Sequence, residues 1–162
     1  MDNTSKKILN LLEEDPRISA KDIARMLDKE VGEIKDMITT LEKDGVIVGY
    51  RTLIDWDKTD REYVSALIEL RVTPQRDRGF EKIAEKIYAF PEVKNMYLMS
   101  GVFDFAVMIE GKTMKEVAFF VAEKLSPIEG VISTSTHFVL RKYKDNGVKY
   151  GLMEHDERGN II

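Results

Sequence analysis

An α+β fold in two parts is predicted for this chain: a head of three short helices, then a four-stranded antiparallel sheet with two helices on one face. Three observations predict it. Two amphipathic stripes flank a tight turn between Ile18 and Leu41, apolar periodicity changes from helical to alternating after Arg61, and a four-residue signature in the second half recurs after 38 residues.

In the head, Thr4 to Glu14 forms the first helix, offering Ile8, Leu9, Leu11 and Leu12 to a core. It stops before Asp15-Pro16, because the residue ahead of a proline is pushed out of the α region. Ser19 stands where an N-cap belongs, with Asp22 three residues on to reach back or to meet the helix dipole, and Ile23, Ala24 and Leu27 then share a face. After a turn at Asp28 and Lys29, Val31, Ile34, Ile38 and Leu41 recur at i, i+3, i+7 and i+10, one stripe of a further helix. Gly45 closes it, and Val46, Ile47 and Val48 read as a strand. Helix, turn, helix and strand together make a winged helix-turn-helix. Three such helices also suit a bundle that merely packs, so spacing alone leaves both readings open.

In the second part, Tyr63 to Val72 alternates, with Val64, Ala66, Ile68, Leu70 and Val72 on one face and Ser65, Glu69 and Arg71 among those facing away. Phe80 to Phe90 is a helix through Ile83, Ala84 and Ile87, ended by Pro91. Val93 to Met99 and Phe103 to Ile109 are strands separated by a hairpin-like gap at Ser100-Gly101-Val102. Met114 to Leu125 is another helix, stopped near Pro127, and Val131 to Tyr143 is a long last strand. Ala84-Glu85-Lys86-Ile87 recurs as Ala122-Glu123-Lys124-Leu125, so two β-α-β halves stack into a ferredoxin-like βαββαβ sheet. Its strands are apolar on both faces, Met96, Leu98 and Phe138 on one and Tyr97, Met99 and Val139 on the other. A second copy is therefore expected on the face that carries no helices. In the tail, Asn146-Gly147 and Arg158-Gly159-Asn160 are turn signals around Val148 to Met153, suiting a short hairpin, and Ile161-Ile162 suits a frayed end.

Composition limits the function. The chain has 162 residues, 43% hydrophobic and 33% charged, as ordinary globular proteins do. No apolar run approaches the roughly 18 residues a membrane span needs. MDNTSKK runs straight into a polar-flanked helix, so no signal peptide is expected, and the total absence of cysteine removes disulfides, thiol catalysis and cysteine zinc sites. A cytoplasmic protein without cofactor is expected. Catalysis finds little footing: His137 and His155 have no partners at metal-ligand spacing, no phosphate loop or nucleophile elbow occurs, and Glu13-Glu14 and Asp156-Glu157 read as solvated surface.

Two sets of residues carry binding chemistry. Lys35, Thr39, Thr40 and Lys43 face outward on the second helix of the pair, with Glu33 and Asp36 between them, while Lys7, Lys21, Arg25 and Arg51 are placed for backbone phosphates. Threonine reads a base edge or a thymine methyl and lysine a guanine, whereas a carboxylate only accepts from cytosine. A solvated helix face is the plain alternative for each. Residues 1–50 hold eight Lys and Arg against eleven Asp and Glu, which argues against tight, salt-tolerant binding. The second set lies at the hairpin. Gly101 allows positive φ and close approach, Asp104 offers a carboxylate for an amino group, and Ser100 adds a hydroxyl or backbone N–H groups. Plain turn chemistry, with Asp104 bonding nearby amides, explains the same residues.

LEKDGVIVGYRTLID (Leu41 to Asp55) and MSGVFDFAVMIEG (Met99 to Gly111), in this two-domain order, resemble the Lrp/AsnC (feast/famine) family of transcriptional regulators over about Met1 to Tyr143. The resemblance implies a sequence-specific regulator of double-stranded DNA, a homodimer assembling to an octamer, and a small effector such as an amino acid at the hairpin, with Thr134 and Thr136 adding hydroxyls. It divides the chain into a head (1–50), a linker strand and loop (51–61), an effector and oligomerisation domain (62–143) and a tail (144–162). Three positions depart from the family pattern: Glu30 replaces the usual serine cap, Met37 the best-marked arginine and Thr40 a frequent basic residue. An enzyme on this scaffold, as in haem-pathway decarboxylases, or an oligomeric ligand-binding module that no longer reads DNA, is the rival class.

Overall fold

A computed structural model describes residues 1–74 and 79–151. It divides into two compact units, Met1–Ile54 and Asp55–Ile162, described separately below.

The first unit is three helices, α1 (Asn3–Glu14), α2 (Ala20–Leu27) and α3 (Val31–Lys43). Their apolar stripes meet in one core of Ile8, Leu12, Ile23, Ala24, Ile34 and Leu41. Asp2 caps α1 by accepting from Ser5 N at 2.6 Å. At α2, Ser19 Oγ accepts from Asp22 N at 3.1 Å and donates to Asp22 Oδ2 at 2.6 Å, so the predicted box forms with the carboxylate bound to the hydroxyl. Asp28 ends α2 in the left-handed region at φ 52, the conformation that turns the chain sharply into α3.

The strand expected at Val46, Ile47 and Val48 does not form. Gly45 turns at φ 69 and both Val46 N and Ile47 N donate to Leu41 O, at 2.9 and 3.0 Å, closing the helix. A strand needs a ladder partner, and within the described residues of this unit none is present, so only Ile47 packs on the core while Val48 stays 93% exposed. Tyr50 instead bends back, its hydroxyl donating to Glu42 Oε1 at 2.9 Å. The strand expected in 51–61 is likewise absent; Trp56–Lys58 is a 3-10 turn, and Arg61 stacks over Trp56 at 4.2 Å.

The second unit runs β1 (Val64–Val72), α4 (Glu81–Tyr88), β2 (Val93–Leu98), β3 (Phe105–Gly111), α5 (Met114–Phe120), a π turn (Val121–Leu125) and β4 (Val131–Phe138). The sheet is antiparallel in the order β2-β3-β1-β4. Rows across it follow the predicted alternation. Leu98, Phe105, Leu70 and Thr134 form one row, and Met96, Val107, Ile68 and Thr136 the next, on the face whose β1 and β3 residues pack into the core with Ile83, Ile87, Val117 and Leu125. Tyr97, Ala106, Glu69 and Ser135 form a row on the opposite face.

Two further expectations are corrected. The helix expected from Met114 to Leu125 loosens after Phe120 into the π turn, where Ser126 N reaches back to Val121 O at 2.8 Å. The last strand stops at Phe138 rather than Tyr143, because its neighbour β1 begins at Val64 and Val139 N already donates the final bond to Ser65 O at 2.9 Å. A two-residue hairpin follows, β5 (Lys144–Asp145) and β6 (Val148–Lys149), turning through Asn146 and Gly147 at φ 44 and 81 as an Asn-Gly pair favours. The expectations for Met153, His155, Asp156-Glu157, Arg158-Gly159-Asn160 and Ile161-Ile162 lie outside the described residues.

Candidate nucleic-acid interface and effector hairpin

Helix α3 buries Ile34 and Leu41 and half-buries Val31, Met37 and Ile38, which leaves two parallel stripes outside. Lys35, Thr39 and Lys43, spaced by one helical turn each, form the first; Glu33, Asp36 and Thr40 form the second. Sequence reasoning interleaved the two. The helix separates them, and Thr40 shares a hollow of about 570 Å³ with Asp2, Glu33, Asp36 and Asp44. Among the described residues no ion pair occupies Lys35, Lys43 or Lys21, and all are exposed.

The threonine hydroxyls are partly committed. Thr39 Oγ1 donates to Lys35 O at 2.9 Å and Thr40 Oγ1 to Asp36 O at 2.8 Å, so toward a partner each offers lone pairs and a methyl. Arg25 Nη2 lies 3.2 Å from Asp22 Oδ1, an exposed pair that an incoming phosphate can replace at little cost. Arg51 is exposed in the irregular segment behind α3, and Lys7 is exposed on α1. Glu30 occupies the N-cap of α3 without a side-chain cap bond. Met37 packs against the core, which explains why a long apolar residue suits a site where the resemblance implies arginine. Lys29, passed over in the sequence, sits at the mouth of α3 with Nζ 2.8 Å from Glu33 Oε1, and this bond, more than the attraction of the charge, raises its pKa. Burial, then Glu42, raises that of the Tyr50 hydroxyl.

At the hairpin, Asp104 does the turn chemistry that was its plainer explanation. Asp104 N donates to Leu70 O and Met99 N to Asp104 O, both at 2.8 Å, while Asp104 Oδ2 accepts from Val72 N at 2.8 Å where the β1–β4 register shifts between Arg71 and Val72. The β1–β3 pairing ends at Leu70 and Phe105, so the Val72 N–H two residues on has no ladder partner on that side and the carboxylate satisfies it. Oδ1 makes no bond among the described residues. Ser100 and Gly101 are exposed, Gly101 at φ 153 with nothing near a Cβ position. Thr134 and Thr136 are half-buried on the helix-side face, Thr134 in the row of Leu70 and Phe105 beside the hairpin and Thr136 one row further along. No hydrogen bond links either threonine to Asp104 among the described residues.

His137 Nε2 lies 3.2 Å from Ser135 Oγ and 3.5 Å from Glu69 Oε1 on the opposite face. No helix among the described residues is long and apolar enough to cross a membrane.

Comparison with known proteins finds a match in each half of the chain. A winged helix-turn-helix DNA-binding model matches residues 1–48, and the Lrp/AsnC ligand binding domain model matches 65–148. The chain is 46% identical over 153 residues to the HTH-type transcriptional regulator YugG of Bacillus subtilis (strain 168), covering 94% of this chain and 92% of that one. An AsnC family transcriptional regulator from Agrobacterium tumefaciens is similar at TM-score 0.70 and 26% identity, covering 90% and 94% of the two chains. The Neisseria meningitidis regulator NMB0573, solved as an L-Met complex, shares the fold at TM-score 0.68 and 22% identity, over 90% and 93%. With both domains matched in order and a relative of this identity along nearly its whole length, the chain belongs to the Lrp/AsnC family of helix-turn-helix transcriptional regulators.

Proposed function

We propose that this regulator reads double-stranded DNA with the Lys35, Thr39 and Lys43 stripe of α3, with Lys21, Arg25 and Arg51 on flanking phosphates and Thr40 at the margin. The observation that carries the reading is this exposed stripe on the second helix of the pair, free of ion pairs among the described residues and one turn apart at each step. Two cations on the reading stripe are a modest endowment, and the acidic stripe beside it repels phosphate, so useful affinity needs more than one head on a duplex. Copies pair through the open sheet face, and dimers assemble further toward an octamer.

The effector is a small molecule, read here as an amino acid. Its contact set is Ser100, Gly101 and the unbonded Oδ1 of Asp104, with the hydroxyls of Thr134 and Thr136. What supports this is a hairpin with an exposed glycine beside an anion that has one oxygen unused. The L-Met complex of the Neisseria relative favours the same ligand class.

The test is fluorescence anisotropy with duplexes selected from genomic DNA across a salt series. Lys35→Gln with Lys43→Gln removes four cations per dimer from the DNA-facing surface, and the slope of log affinity on log salt falls by about 3 to 4 units. A wild-type protein that binds no selected duplex at low salt, with or without amino acids, overturns the reading and favours the ligand-binding module.

A further inference from the structure

Where β3 finishes at Gly111, at the opposite end of β3 from the 99–104 loop, α5 and its π turn leave a cavity of about 290 Å³ lined by Glu92, Gly111, Val117, Phe119 and Lys124. It adjoins a hollow of about 770 Å³ that shares Glu92, Glu110, Gly111 and Glu116 and adds Asp60, Glu62, Arg61, Lys94 and Lys112, an acidic lining on balance. These volumes are of the size that holds small ligands.

Three features say what the cavity takes. Glu92 Oε1 is 2.6 Å from Lys124 Nζ, yet its Oε2 is buried with no donor among the described residues. A buried acceptor left without a donor is costly, and a ligand N–H supplies what is missing. The charge of the wall points the same way, with Glu92, Glu110, Glu116 and Glu123 facing the single ammonium of Lys124. The rest of the lining is apolar, Ile109, Val117, Phe119 and Phe120.

The local fold adds a fourth. Ala84 to Ile87 is regular α-helix, but its repeat, Ala122 to Leu125, is the π turn, which carries Glu123 and Lys124 to the cavity. Lys124 is held there by Glu92 and by the rings of Phe90 and Phe120, at 5.6 and 5.4 Å.

We propose that this cavity is a second small-molecule site, distinct from the hairpin, that takes a protonated primary amine with an apolar body. The ammonium donates to Glu92 Oε2 and the body lies on Val117 and Phe119.

The test is methyl NMR of the full chain, labelled at isoleucine and valine, titrated with isoamylamine or 4-methylpentanoate. Isoamylamine is expected to shift Ile109 and Val117 saturably, while 4-methylpentanoate leaves them in place. Glu92→Gln weakens isoamylamine at least tenfold. Phe119→Ala, at a half-exposed ring, weakens it several-fold without unfolding the protein. Asp104→Asn leaves isoamylamine binding unchanged, which separates this site from the hairpin. The proposal is overturned if the carboxylate binds as well as the amine, if the shifts fall elsewhere, or if millimolar isoamylamine moves neither methyl.

Discussion

Ser19 and Asp104 show how far a single polar residue reveals its role. Ser19 does everything within three residues of itself, accepting from Asp22 N and donating to its carboxylate, so its cap was legible in the sequence. Ser19→Ala is expected to cost about 1 kcal/mol in urea unfolding of the head, the usual loss for a missing cap. Asp104 works across 32 residues, on an N–H of β1 that lies past the end of the β3 pairing, and no local pattern announces that bond. The bond also separates the fold role of Asp104 from its proposed ligand role. Asp104→Ala strands the N–H of buried Val72 and should cost about 1 to 3 kcal/mol. Asp104→Asn keeps an oxygen for that N–H while removing the charge. If Asp104 binds the effector, calorimetry of the asparagine variant shows near wild-type melting without ligand and no thermal shift with amino acids; a retained shift removes Asp104 from the site.

Among elements, those built from short-range periodicity were readable and those ended by a neighbour were not. The three head helices, β1 and α4 carry their own stripes and stops. Val46 to Val48 has strand composition, but β structure requires a partner and the described part of its unit supplies none. The tail of β4 fails for the same reason, running out of β1 to pair with. The two stripes of α3 were legible as an outward face and not as separate acidic and basic rows, because both lie side by side on the same exposed arc of the helix and differ only in angle about its axis. The π turn left no signal, since its tetrapeptide repeats one that is plainly helical. Its consequence is testable through the link it makes between Lys124 and the segment ahead of β2. The hydrogen bond from Lys124 holds the Glu92 carboxyl below its usual value of 4.5, partly opposed by burial. A carboxyl whose pKa is lower folded than unfolded adds stability above the unfolded value and loses it as pH falls through the folded one. Lys124→Met removes the main cause of that lowering, so its melting temperature should fall less steeply than wild type between pH 5 and 3. Parallel melting curves over that range would exclude the coupling.

At the scale of the molecule, the proposed pairing of sheets sets how many heads act together. One of its faces is filled by the core around Ile68, Leu70, Val107 and Leu125. The other presents Leu67 between Met108 and His137, and Tyr97 beside Ala106, a mixed apolar surface with Glu69 and Ser135 in it. Ala106 and Ser65 on this face are already 7% and 6% exposed, so their neighbours form a continuous floor rather than isolated side chains. Such a floor is costly to leave wet, and a second copy of the same floor is the occupant that alternating apolar residues predict. Leu67 lies at its middle, half-buried with a partner on either side. Leu67→Glu places a like charge on both copies at once, close to Glu69 of each. Light scattering of the wild type should give at least a dimer, and the variant should run as a monomer with its far-UV circular dichroism intact. Because a single α3 offers only Lys35 and Lys43, the monomer should also lose about a hundredfold or more in duplex affinity through lost avidity. A wild type that is monomeric at 100 µM, or a Leu67→Glu variant with unchanged mass, would mean that the sheets do not pair, and two heads would have to reach one duplex by some other contact.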